Sequence, residues 1–136
     1  MIEVNRWISN QVNYAMYVSG VRTPAAVFVT NERDALHENT LPLATIKISP
    51  LSEETAKFGG FRESVVITVW FPEGTDPQML ETVSKNLDQQ LAAARGETDN
   101  YFFTVFKVSS TEEVFHRELK SRGVRAEFVV RGFRKP

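Results

Sequence analysis

Apolar residues recur through residues 2–18 at Val4, Ile8, Val12 and Ala15, with Met16 beside them and Glu3, Arg6, Asn10 and Asn13 on other sides. The i, i+4, i+8, i+11 spacing predicts an amphipathic helix. Gly20 supplies a stop for it. After Pro24 the period shortens. Residues 25–30 read as a short apolar strand and residues 31–39 as a polar loop. Residues 43–49 alternate, with Leu43, Thr45, Lys47 and Ser49 on one face and Ala44, Ile46 and Ile48 on the other, as in a half-buried strand. Pro50 and the charged residues 52–60 form a connection. Residues 61–71 then carry Val65, Ile67, Val69 and Phe71 on one face and Val66, Thr68 and Trp70 on the other. Apolar groups on both faces predict a central strand covered on both sides.

Residues 72–75 form a turn. Asp76 stands where a side chain can cap the first helical N–H groups, and Pro77 fits the first helical turn. Leu80, Val83, Leu87, Leu91 and Ala94 make an apolar stripe, and Gly96 ends the predicted helix. Residues 101–108 form a strand with Tyr101, Phe103 and Val105 facing one way and Phe102, Phe106 and Val108 the other. Residues 109–122 are polar, with room for a short extension. Residues 124–133 form the last strand, with Val124, Ala126, Phe128 and Val130 opposed to Arg125, Glu127, Val129 and Arg131. The order is α-β-β-β-α-β-β. Short connections favour an α+β fold: a mixed, mostly antiparallel β-sheet packed with two helices.

Composition narrows the class. The chain has 136 residues, 42% of them hydrophobic and 24% charged, which suits one globular domain spanning 1–136 and excludes a disordered or low-complexity chain. Its longest apolar strand falls far short of the roughly 20 residues of a membrane helix, so no membrane partner is expected. The polar start (Glu3, Asn5, Arg6) is not expected to be a signal peptide. There is no cysteine, which removes disulfides, thiolate metal sites and thiol catalysis. Net charge is −1, so bulk charge attracts no polyanion. The distribution is uneven: residues 117–135 hold seven basic and two acidic side chains, and residues 1–116 hold nine basic and fifteen acidic ones.

Candidate chemistry is sparse. His37 and His116 stand far apart in sequence, and neither is tied to a serine. The pairs Glu53-Glu54 and Glu112-Glu113 are neighbours, which on a strand face opposite sides and form no carboxylate dyad. Gly59-Gly60 opens no helix and cannot cradle a phosphate on one. No nucleophile elbow, P-loop or dinucleotide fingerprint occurs. No enzyme, cofactor or metal is therefore expected. Two binding readings stay open. Aromatic residues beside the arginine-rich last strand could stack on single-stranded nucleic acid, although the RNP pattern is absent. Alternatively, Phe58, Phe61, Trp70 and the aromatics of residues 101–103 exceed what one small core absorbs, and the surplus serves assembly with other copies.

A resemblance favours assembly. Thr40-Leu41-Pro42-Leu43-Ala44-Thr45-Ile46-Lys47-Ile48, the connection at 52–60, Glu63-Ser64-Val65-Val66-Ile67-Thr68-Val69-Trp70-Phe71-Pro72, the helix that follows and Val124-Arg125-Ala126-Glu127-Phe128-Val129-Val130-Arg131 succeed one another as in tailed-phage tail terminator proteins. The likeness spans nearly the whole chain and resembles the lambda-type terminators and related minor tail proteins. It implies a virion structural protein of the tail or neck, assembled in the bacterial host cytoplasm. Such a protein forms a homo-oligomeric ring, a hexamer in that family, on the last ring of the tail tube. It ends tube polymerisation and joins the tail to the head–tail connector or neck protein, with the tail sheath a further partner and DNA only in passage through the lumen. A neck, head-closure or tail-completion protein is the neighbouring alternative. By position, Lys57, Phe58 and Phe61 are assigned to the tail-tube contact, and Arg125 and Arg131 to the subunit interface or lumen.

Overall fold

The computed structural model describes residues 2–21, 26–31, 33, 36, 41–51 and 60–136. Helix α1 (Ile2–Val18) buries Val4, Ile8, Val12, Ala15 and Met16, the predicted stripe. Gly20 ends it with φ of 79°. The Val21 N–H reaches back to Met16 O at 3.0 Å and the Gly20 N–H to Tyr17 O at 3.0 Å, a paired closure that satisfies the last carbonyls. Strand β1 (Val27–Phe28) is shorter than the pattern predicts and lies parallel to β2 (Leu43–Pro50).

Strand β3 (Gly60–Pro72) leads into helix α2 (Pro77–Leu91). Asp76 Oδ1 accepts the Gln78 N–H at 2.9 Å, and Pro77 occupies the first turn. Leu80, Val83, Leu87 and Leu91 are buried. The stripe predicts a helix through Ala94, yet α2 stops at Leu91. Ala92 is extended and Ala93 has φ of 58°, so the chain turns to form β4 (Arg95–Glu97) at the sheet edge. Ala94 still packs on the core. Gly96 is a close-approach residue and not a helix stop, because a Cβ there would lie 2.2 Å from the Phe103 ring.

Strand β5 (Tyr101–Lys107) is followed by β6 (Glu112–His116) and β7 (Ser121–Arg134). The sheet order is β1-β2-β3-β7-β5-β4, with β6 paired to the first part of β7. Among the described residues, only the β1–β2 pair is parallel. The α+β class, the mostly antiparallel mixed sheet and the two helices agree with the sequence reading, and β4 and β6 extend its element order. Strand β6 escapes the sequence pattern because most of its side chains are polar or exposed, which suits an edge strand.

Helices α1 and α2 cover one face of the sheet. Ala44, Ile46, Val65, Ile67, Val69, Phe71, Val105, Ala126, Phe128 and Val130 meet α1 and α2 there in one buried cluster. Phe61 and Phe103 join it. Trp7 stands edge-on to Phe103 at 4.9 Å between ring centroids, and Phe61 edge-on to Tyr101 at 5.5 Å. The core thus absorbs Phe61, Trp70 and Phe103 from the predicted aromatic surplus. Backbone room makes this possible: Gly132 faces Phe61, and a Cβ would meet that ring at 2.5 Å. Among the described residues, the opposite face of central strand β3 is covered only near Trp70.

Candidate interaction surface

The helix-free face of the sheet divides into two ends. At one end Trp70 is 2% exposed and packs with Leu36 and Leu43 under Val29, Leu41, Val114 and Leu119. His116 stands edge-on to Trp70 with centroids 6.2 Å apart, and its Nδ1 accepts the Leu119 N–H at 3.3 Å. His116 therefore shapes the β6–β7 turn. The centre of the face is polar. Thr45 and Thr68 are buried side by side in register, and Arg125 Nε donates to Thr68 Oγ1 at 3.2 Å.

The other end is open. Register sets Glu97, Phe102 and Phe133 in one row, and Arg95, Thr104, Arg131 and Arg62 in the next. Phe106 lies opposite Val129, one row further. Phe102, Phe106 and Phe133 are 51%, 50% and 46% exposed. Shallow clefts of about 380 and 350 Å³ run between these rings and the Arg95, Arg131 and Arg62 side chains. Two cations of the chain already sit on two of the rings. The Arg131 guanidinium lies 5.7 Å from the Phe133 centroid, and the Lys135 ammonium 4.8 Å from that of Phe102. Lys135 also pairs with Glu97, so the acid of this end is already neutralised.

The structure brings Arg131 into this aromatic end. It holds Arg125 apart, at the polar centre. Phe61 lies on the other face, 8% exposed, where it builds core and presents little surface to a partner. Lys57 and Phe58 lie outside the described residues, as do His37, Glu53 and Glu54. Arg62, Arg95 and Phe133 were not singled out by the sequence pattern. The usable signal is period two: Phe102 and Phe106 share a face, and Phe133 continues the Arg125-to-Arg131 row.

Among the described residues no three His, Asp or Glu side chains gather as a metal site. Glu113 pairs with Arg122, while Glu112 faces the Arg125 side of the register. One carboxyl is perturbed: burial raises the pKa of Glu63, whose Oε2 has no hydrogen-bond partner. It sits on the helix side of β3, on the opposite face from Arg62 and Arg131. No described helix is long and apolar enough to cross a membrane.

No protein-family model matches this chain, and no curated protein matches it. Among solved structures it is similar to a chain of the "Virion of native gene transfer agent (GTA) particle". The TM-score is 0.60 at 12% identity, covering 94% of this chain and 92% of that one. At that identity the likeness shows a common fold, shared from end to end.

Proposed function

We propose that this chain is a structural protein of a phage-like virion, a single tail-terminator-like domain that closes the tail tube as a ring and joins it to the connector. The observation that carries the reading is the end-to-end fold likeness to a chain of an assembled virion. The open aromatic–arginine end of the sheet agrees with it, since aromatic residues and arginine are what interface centres favour. The proposal assigns no catalytic residue and no cofactor. Its partners are further copies of itself, the tail tube protein and the neck or connector protein, with the sheath as an additional neighbour where one is present. Lys57 and Phe58 are proposed for the tube contact, and Arg125 and Arg131 for the subunit interface or the lumen.

Size-exclusion chromatography with light scattering, followed by electron microscopy with tail tubes, tests this. Ring-sized particles and decoration of one tube end are the expected result. A strict monomer at every concentration that leaves tubes undecorated would overturn it. A neck or head-closure role is separated by the particle end that the protein occupies.

A further inference from the structure

The open end of the sheet is banded. Register sets Arg62, Arg131, Thr104 and Arg95 side by side on β3, β7, β5 and β4. Phe106 and Val129 fill the row on one side, and Phe102 and Phe133 the row on the other. Each row lies two residues, or about 7 Å, from the next along the strands. Among the described residues the three arginines form no ion pair, and the acid of the adjoining row, Glu97, is taken by Lys135. Arg62 and Arg131 stand directly opposite each other, where like charges repel across a sheet. A carboxylate placed between them removes that repulsion and gains charge-assisted hydrogen bonds. The apolar rows on either side then ask for apolar groups on either side of the carboxylate. Positions i, i+2 and i+4 of an extended chain face one way at this same spacing. The complement is therefore an extended segment that reads apolar, acidic, apolar at alternate positions.

Charge does not single out a face of this chain as that complement. Asp88, Glu113 and Glu118 already hold Lys107, Arg122 and Arg33. Glu112 faces Arg125 in register, and Glu127 shares a cleft with Lys47 and Arg125. Glu73, Asp76 and Glu81 share the far end of β3 with exposed Lys85, Arg117 and Lys120. A patch-to-patch contact would set Arg131 against a second Arg131 and bring like charges together. Single-stranded nucleic acid fits less well than protein. Bases need free ring faces, and Arg131 and Lys135 lie over the rings of Phe133 and Phe102. The whole chain, at net −1, also offers no polyanion attraction. We infer that the Phe102–Phe106–Phe133 patch with Arg62, Arg95 and Arg131 is the docking surface for a different protein, which lays on it an extended segment carrying a carboxylate between apolar side chains. The inference does not need the ring proposed above, and adds where a partner of another kind is met.

The probe is a fluorescein-labelled peptide, Phe-Ser-Asp-Ser-Phe, with Phe-Ser-Asn-Ser-Phe as its uncharged control. Both are titrated with the full chain and followed by anisotropy. The acidic peptide is expected to bind at least fivefold tighter than the control. The double variant Arg62→Gln with Arg131→Gln is expected to lose that preference while its melting temperature stays near that of the parent. A chain with Phe106→p-benzoylphenylalanine, irradiated with the acidic peptide and mapped by mass spectrometry, is expected to cross-link to the peptide. Equal binding of the two peptides, or no binding even at millimolar protein, overturns the inference. A cross-link to a second copy, or within one chain to the segment holding Glu53 and Glu54, assigns the patch to this chain itself and overturns it. Tighter binding of a single-stranded oligonucleotide that is lost in the double variant assigns the patch to nucleic acid and overturns it too. Light scattering on the same samples reads ring formation separately, so a failure here leaves the proposed assembly standing, and a monomer that prefers the acidic peptide overturns the ring alone.

Discussion

The two ends of the helix-free sheet face share strands β3 and β7 and behave differently. At the Trp70 end, the sheet rolls an indole under Leu36, Leu43 and Val114 and hides it. At the Phe102 end, three phenylalanines on neighbouring strands stay half in water. Sequence pattern alone makes the two ends look alike, since each places aromatic residues on alternate strand positions. What differs is the chain that passes over them. The β6 strand and its turn cover the first end, and no described element covers the second. Exposed apolar groups of this kind mark contact surfaces more often than errors of packing.

The comparison breaks most readily at the closed end. Trp70→Ala is expected to cost about 3–5 kcal/mol, because it empties a nearly sealed site. Denaturant unfolding measures it, and a loss close to zero would mean the end is not closed. Next in size is Gly123→Ala. An added Cβ would lie 2.5 Å from the Val69 carbonyl oxygen and 3.2 Å from the Trp70 ring, and the backbone oxygen has little freedom to retreat. About 1–3 kcal/mol of destabilisation is expected, the usual cost of overpacking.

Much of this was legible in the chain and some was not. Stripes such as Leu80, Val83, Leu87 and Leu91 declare a buried helix face, because nothing but burial explains them. The end of α2 was not legible, since Ala94 keeps the apolar spacing while the backbone has already turned toward the sheet edge. Strand β6 was hidden for the opposite reason: polar side chains at an edge carry no hydrophobic period. The candidate surface was half visible. Alternation separates Phe102 and Phe106 from Phe103, but only the placement of the helices decides which set is covered. Phe61 shows the hazard, since an aromatic beside a charged connection looks like a contact residue and instead fills the space above Gly132.

Smaller effects sharpen the contrast. Glu63 faces the helix side with a carboxyl whose pKa burial raises. An acid with a raised folded-state pKa contributes stability that is fully present below its unfolded pKa and is lost as pH rises through the folded value. Glu63→Gln is therefore expected to flatten the acid-to-neutral stability profile and to gain most over the parent at neutral pH. Urea melts across that range check the sign, and an unchanged slope removes Glu63 as its cause. Smallest of all, Phe106→Ser at the open end should change the stability of the isolated chain by less than about 0.5 kcal/mol, as surface substitutions do. A larger loss would show that this end is packed within one copy after all.

Strand β7 lies at the middle of the sheet, paired to β3 along its length and to β5 and β6 on its other side. It is also the last of the described strands in chain order. The β2–β3 hairpin waits with one margin unzipped until that strand arrives, and long-range pairing of this sort is slow to form. A fragment that stops before Ser121 lacks this keystone and leaves β3, β5 and β6 without their shared partner.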